Sequence, residues 1–301
     1  MPRILTDFPQ LRQEKYEPDT LFLLLFFYLF VTEPNMLTLT QDRYHHFLIQ
    51  VLENRPLIHC LTNEVVQEIT ANVLLSAHMS PAMCVAYDEI ESFAKISSAV
   101  YINVGTPYQE RLKAMTLAAQ TAQAHDIVWA LDPVAAGVIA WRDRVIEEFL
   151  ALKPTLVRGN ASEILALAGI GQGGHGVDST DDSRSAVNAA IALAQRFECI
   201  IAVTGASDFV TDGTDTYEIS GGHELATFVV GTGCSLSALC AGFCAVAPKS
   251  DRLQAVAAAL TLAKQAQERA FARAQAPGSF HVAYLDELYR IVKQAEADHA
   301  A

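Results

Sequence analysis

Charge is scarce in this chain, and positive charge is scarcer still. Only 18% of the 301 residues are charged, and 21 Lys and Arg stand against 34 Asp and Glu, for a formal net charge of −13. A chain this acidic has no general attraction for nucleic acid or for an anionic membrane. A phosphate-bearing ligand needs local help from backbone amides, a metal ion or a placed arginine. Low charge does not mean disorder here, because hydrophobic residues make up 51% of the chain, enough to bury a large core. Paired cysteine motifs are also missing: Cys60, Cys84, Cys199, Cys234, Cys240 and Cys244 include no C-x-x-C pair. That excludes a disulfide framework or a zinc site and reads as free thiols in a reducing compartment, with the cytoplasm as the expected location. The most apolar run, LFLLLFFYLFV over 21–31, has eleven residues, and a membrane-spanning helix needs about 20. Its surroundings lack the basic start and small-residue cleavage site of a secretory signal. No repeat with a period of 20–50 residues is present, and no stretch reads as an interdomain linker.

Composition changes abruptly at Met36. Residues 1–35 read as a non-native or disordered N-terminal extension, with Met36 as the native start and residues 36–301 as a single domain. An amphipathic opening over 39–52 comes first. Short apolar runs over 57–60, 82–86, 99–104, 127–131, 155–157, 199–203 and 208–211 then predict strands. Helical patterns over 65–77, 88–96, 109–124, 142–152, 161–168 and 184–197 separate them. The last third, over 234–246, 252–274 and 282–295, is helical and Ala-rich. Strands spaced by one helix each predict βαβ units in an α/β fold with a mostly parallel sheet covered on both faces. In such sheets ligands bind beyond the carboxyl ends of the strands. The residues there are polar: Thr62-Asn63, Asn103-Val104-Gly105-Thr106, Asp132-Pro133, Arg158-Gly159-Asn160 and Thr204-Gly205.

Two glycine clusters compete for attention. Gly169-Ile-Gly-Gln-Gly-Gly174 matches G-x-G-x-x-G, but it follows a helix rather than a strand, so a surface loop is the better account. Gly231-Thr232-Gly233-Cys234 instead opens an apolar helix, whose first free N–H groups form a natural anion site. The alternative there is a plain Gly-rich N-cap of a buried helix. Cys234 falls where the helix dipole favours a thiolate, which predicts a lowered thiol pKa. Cys240 and Cys244 lie one turn apart on that helix and read as small core residues. Asp132 and Glu163 are the carboxylates suited to Mg²⁺ beside an anion site. Asp132 also reads as a turn residue before Pro133. Asn160 with Glu163 three residues on equally fits a capping box, and the two roles do not exclude each other.

Taken in order, Pro56-Leu-Ile-His-Cys-Leu-Thr-Asn63, Ser80-Pro-Ala-Met83, Ile102-Asn-Val-Gly105, Leu131-Asp-Pro-Val134, Arg158-Gly-Asn-Ala-Ser-Glu163, Val203-Thr-Gly205, Thr211-Asp-Gly213 and Gly231-Thr-Gly-Cys234 resemble the hydroxyethylthiazole kinases of thiamin salvage. The resemblance covers about residues 56–280 and begins after Met36. It implies a ribokinase-like three-layer α/β/α sandwich without a lid, and a homotrimer with active sites at subunit boundaries. It also implies transfer of the ATP γ-phosphate, with Mg²⁺, to the alcohol of 4-methyl-5-(2-hydroxyethyl)thiazole. By resemblance, Asn63, Met83 and Gly231 line the thiazole, Arg158 and Thr204 contact ATP, and Asp132 and Glu163 surround Mg²⁺ and the phosphates. Cys234 stands where most ribokinase-like enzymes carry a catalytic Asp. Three positions depart from the pattern. His78 and Met79 replace small residues before the Pro-x-Met element, and Phe228 stands where relatives often carry a basic residue. His59, with no carboxylate beside it in sequence, reads as structural. Competing readings are a kinase for another small alcohol such as hydroxymethylpyrimidine, a ribokinase-like dehydratase of hydrated nicotinamide cofactors, and a non-catalytic metabolite sensor. Cys234 in place of Asp argues against the dehydratase, and Asp132, Glu163 and Arg158 together argue against the sensor.

Overall fold

The computed structural model describes residues 36–170 and 180–300. The expected N-terminal extension and most of the Gly169–Gly174 cluster lie outside the described residues. The strands are β1 (Met36–Leu37), β2 (Leu57–Leu61), β3 (Ser80–Ala82), β4 (Ala99–Asn103), β5 (Val128–Asp132), β6 (Leu156–Asn160), β7 (Ile200–Thr204), β8 (Asp208–Thr211) and β9 (Thr216–Ile219). They form one sheet in the order β1-β9-β8-β7-β6-β5-β4-β2-β3. Every pairing is parallel except β7–β8 and β8–β9.

The helices are α1 (Gln41–Asn54), α2 (Gln67–Ser76), α3 (Tyr87–Ile96), α4 (Gln109–Ala124), α5 (Ala140–Ala151), α6 (Ala161–Leu167), α7 (Thr180–Phe197), α8 (Thr232–Val246), α9 (Arg252–Arg273) and α10 (Pro277–Ala300). Alternation along the strands decides which helices cover which face, because successive side chains point to opposite sides. In β5, Val128 and Ala130 join a core with α1, α2, α8, α9 and α10, whereas Trp129 and Leu131 join a second core with α3 to α7. The central strands are buried on both faces, which is why they read as continuous apolar runs. α8 lies deepest: Ser235 through Cys244 are all buried, as befits a helix apolar on every side.

Several expectations are corrected at the edges. The strand expected over 82–86 lies instead at Ser80–Ala82, and the chain leaves the sheet at Met83. Pro81 is tolerated there because β3 is an edge strand, where one N–H needs no ladder partner. β9 carries only four residues and β1 two, too short for a periodic signal. Met79 is buried, with its sulfur against Gly242 of α8, so a larger residue at 242 has no room. His78 adopts a left-handed φ of 61° and stacks on Tyr289 at 5.2 Å. Both residues are therefore packed away from the strand tips. His59 is buried, its Nε2 is 2.9 Å from the Cys84 carbonyl oxygen, and burial pushes its pKa down. It is a neutral structural imidazole.

Candidate active site

Strand parity builds the site. Leu156, Ile200 and Ala202 face the α8 side of the sheet, as do Ala99 and Val128. Counting by twos from these residues puts Tyr101, Asn103, Asp132, Arg158 and Thr204 on that same face. Asn103 pairs in register with Asp132 across β4 and β5, and Asn160 with Thr204 across β6 and β7. The carboxyl ends of four adjacent strands thus present one polar row beneath the start of α8.

The loop that opens α8 is half-buried rather than closed off. Gly231 caps it with a left-handed φ of 88°, and a Cβ there would collide with Ile69 and Val66. Thr232 Oγ1 ties the loop down by donating to the carbonyl oxygens of Ala226 (2.8 Å) and Val229 (3.1 Å). The Arg158 guanidinium lies against Gly233, where a Cβ would stand 3.0 Å from Nη1. A glycine at 233 is what lets arginine and helix N-terminus converge, and both attract the same anion.

Asp132 sits under this cradle, 1% exposed. Its Oδ2 accepts from Ser237 Oγ (2.9 Å), Asn103 Nδ2 (3.0 Å) and Tyr101 OH (3.2 Å). The turn-residue reading of Asp132 gives way: it is the buried last residue of β5. Burial pushes its pKa up to about 6, Arg158 opposes that rise, and the Glu163 charge adds to it. Arg158 Nη2 bonds Thr204 Oγ1. Burial works against the Arg158 charge, but Asp132, Glu163 and Asp208 outweigh it and raise the pKa. Glu163 completes the capping box with Asn160, its Oε2 accepting from Asn160 N (2.9 Å). Its Oε1 accepts from Ala135 N (2.9 Å), which ties the β5 exit to the β6 exit.

Asn63 joins the other end of the row. Its Nδ2 donates to Asn103 Oδ1 at 3.0 Å and approaches Cys234 Sγ at 3.7 Å, while its Oδ1 accepts from Val65 N. Met83 stands apart from this polar network, half-buried against the core that holds α8. The expected acidity of Cys234 is reversed: burial pushes its thiol up to about 11, with Asp132 adding to the rise. Asn103, Arg158 and Asn63 pull the other way without compensating. A nearby buried carboxylate and lost hydration overcome a dipole worth only fractions of a kcal/mol to about 2 kcal/mol. Phe228 is 69% exposed in the segment before the loop, and so brings no charge to the anion cradle.

Tyr101 and Ser237 carry no role in the sequence motifs, and Asn103 stands at a strand tip there without one. Parity was the available signal for Tyr101 and Asn103, since each lies an even number of residues from a core residue of β4. Ser237 had one too, three residues after Cys234 and so on the same side of α8.

The mostly parallel sheet with helices on both faces has the ribokinase-like fold. A solved ribokinase-like superfamily protein from Enterococcus faecalis V583 matches at a TM-score of 0.62 with 10% identity, covering 88% of this chain and 98% of that one. The hydroxyethylthiazole kinase family profile matches residues 48–294, and the chain belongs to that family. A hydroxyethylthiazole kinase of Escherichia coli O6:K15:H31 is 48% identical over 252 residues, 84% of this chain and 95% of that protein. The solved hydroxyethylthiazole kinase protein from Pyrococcus horikoshii OT3 has 38% identity and a TM-score of 0.77, covering 83% of this chain and 94% of that one.

Proposed function

We propose that this protein transfers the γ-phosphoryl group of ATP to the hydroxyl of 4-methyl-5-(2-hydroxyethyl)thiazole, yielding the thiazole phosphate used to make thiamin diphosphate. One juxtaposition carries the reading: the Arg158 guanidinium lies against Gly233 at the start of α8, with Asp132 buried beneath. Phosphoryl transfer through a loose transition state asks mainly for positioning and charge neutralisation, and the helix amides and Arg158 supply both.

In this assignment Arg158 and Thr204 contact ATP, and Asn63, Met83 and Gly231 hold the thiazole. The alcohol oxygen bonds to the γ-phosphorus, the bond from that phosphorus to the β,γ-bridging oxygen breaks, and ADP leaves with the electron pair. Cys234 orients the hydroxyl, and its minor thiolate form accepts the hydroxyl proton late, as the new bond forms, returning to the neutral thiol. Asp132 and Glu163 suit Mg²⁺: the Glu163 charge reaches Asp132 at the phosphate cradle. Among the described residues, no group of three or more His, Cys, Asp or Glu forms a metal cage. When bound, Mg²⁺ would neutralise charge on the transferring phosphate.

Val65, Phe228 and Val230, each at least 66% exposed, flank the segments that meet at Gly231. We take this apolar rim as a surface for another copy, in a homotrimer with sites at subunit boundaries, acting in the cytoplasm. Among the described residues all six cysteines are free, and no helix is long and apolar enough to cross a membrane. Residues 36–301 are taken as one working unit. The deciding experiment incubates the protein with Mg·ATP and either the thiazole alcohol or hydroxymethylpyrimidine. ADP and phosphorylated product are expected with the thiazole alcohol. Turnover confined to the pyrimidine, or binding without turnover, overturns the proposal.

A further inference from the structure

The phosphate side of the site is braced by a buried cation outside the motifs. β7 ends at Thr204, and the chain turns through Gly205, Ala206 and Ser207 before β8 begins at Asp208. Gly205 and Ala206 are exposed at the strand tip. Beneath them lies Lys264, in the middle of α9, with a side chain 9% exposed. Its Nζ donates to the carbonyl oxygens of Gly205 (2.8 Å) and Ala206 (3.0 Å) and lies 3.1 Å from Asp208 Oδ1. That same Oδ1 accepts from Gly205 N at 3.0 Å. One ammonium therefore spends all three donors on one turn, and one carboxylate closes it from within.

The stem of Lys264 also sets the neighbouring segment. A Cβ at Gly222, whose φ is 83°, would stand 2.6 Å from Lys264 Cδ and 2.7 Å from Gln267 Oε1. Gln267 Oε1 in turn accepts from His223 N at 3.3 Å. α9 thus grips both the turn after Thr204 and the segment that leads to the Gly231 loop. Burying a lysine is costly unless every donor is satisfied. An ordinary surface hairpin does not need such an anchor, because water would serve its carbonyls equally well.

We infer that Lys264, together with Asp208, is a positioning residue for the nucleotide: it locks the Gly205–Ser207 turn so that Thr204 and the exposed backbone beside it meet the phosphates and ribose of ATP in a fixed geometry. The inference rests on the nucleotide reading of the site given above. Lys264 does not touch the reacting atoms; it acts through Thr204, whose hydroxyl holds Arg158. A loosened turn should weaken ATP binding and leave the thiazole side alone, since Asn63 and Cys234 are held by other contacts.

The test is a titration of Mg·ATP, without acceptor, into the parent, into Lys264→Arg and into the charge-neutral double variant Lys264→Met/Asp208→Asn, followed by steady-state kinetics. The double variant avoids leaving a buried carboxylate unpaired. Its ATP Kd and KM should rise at least about tenfold, with acceptor KM within about twofold of the parent. Lys264→Arg, which keeps the charge, should recover most of the affinity. A folded double variant that binds ATP within about twofold of the parent overturns the inference, as does an equal rise in both KM values. If the double variant does not fold, Asp208→Asn alone decides: ATP Kd should rise about threefold, and no change overturns the inference. Loss of ATP affinity in the double variant of a parent that phosphorylates a different alcohol supports this role while removing the acceptor assignment. A parent that binds no ATP ends both.

Discussion

At the scale of single residues, the site turns on two groups, Cys234 and Asp132, whose pKa burial raises. Cys234 keeps its proton because its pKa stands near about 11, so only a trace of thiolate exists at neutral pH. A good general base is worth about 10²–10⁴-fold in rate, and a cysteine with so little thiolate should fall at or below the low end. Cys234→Ala is therefore expected to slow kcat by about tenfold to a hundredfold without abolishing it, and Cys234→Asp to be tolerated. Full kcat in Cys234→Ala would remove the proton-accepting role. Asp132 behaves differently, because its pKa of about 6 lies close to the working range. Turnover that needs the carboxylate should lose about tenfold per pH unit below that value and level off above it. Ser237 lowers the Asp132 pKa by donating to it, so Ser237→Ala should move this acid limb to higher pH. A limb that stays put in Ser237→Ala would assign it to another group. Stability responds with the opposite sense. Folded Asp132 holds its proton above the ordinary value of 3.8. Its stabilising contribution is thus fully present below that value and is lost as pH rises through about 6. Melting temperatures of Asp132→Asn should consequently change less between pH 5 and pH 8 than those of the parent.

At the scale of elements, the opening of α8 is the most demanding piece of backbone. Its left-handed cap needs glycine, since a non-glycine residue there costs about 1–2 kcal/mol before any clash. Gly231→Ala would add a clash with Ile69. The expected result is a stability loss of about 2–4 kcal/mol in urea unfolding, together with a large fall in turnover as the anion cradle shifts. The double variant Gly231→Ala/Ile69→Ala should recover part of the stability but not the activity. Equal recovery of both would mean that the cradle tolerates displacement. Elements of this kind are legible in sequence, because a Gly-x-Gly loop running into an apolar helix has both a conformational and a chemical signature. The Asn160–Glu163 capping box was legible for the same reason, and both of its hydrogen bonds are present. The edge strand β3 was not, because Met83, Cys84 and Val85 look like a strand but leave the sheet after Ala82, although β2 beside them runs on to Leu61. The pKa of Cys234 was not legible either: the helix dipole can be read from position, but burial beside Asp132 is a property of the packed molecule. Lys264 shows the same limit, since it lies within an Ala-rich helix, 60 residues after Thr204 in sequence.

At the scale of the whole molecule, β1 bears on where the working unit begins. β1 pairs in parallel with β9, Met36 with Thr216 and Leu37 with Tyr217, and Leu37 packs against the core beneath α8 and α9. The antiparallel hairpin of β8 and β9 would otherwise present β9 as a bare edge, and a two-residue strand is a minimal cover for it. This gives the expectation that residues 36–301 form the working unit a physical test. Three chains are compared by thermal melting and by turnover: the full chain, one beginning at Met36, and one beginning at Leu39. The chain from Met36 keeps β1 and should melt within about 1 °C of the full chain with unchanged kcat. The chain from Leu39 loses the ladder and the buried part of Leu37, worth about 1–2 kcal/mol. For a chain of this length, each kcal/mol corresponds to roughly 2–4 °C, so it should melt about 2–8 °C lower. Its kcat should stay nearly level, because β1 lies at the sheet edge, five positions from β5 with Asp132 and three from β7 with Thr204. A chain from Met36 that is destabilised as much as the one from Leu39 would show that residues before 36 help to hold the fold, and the boundary at Met36 would then fall.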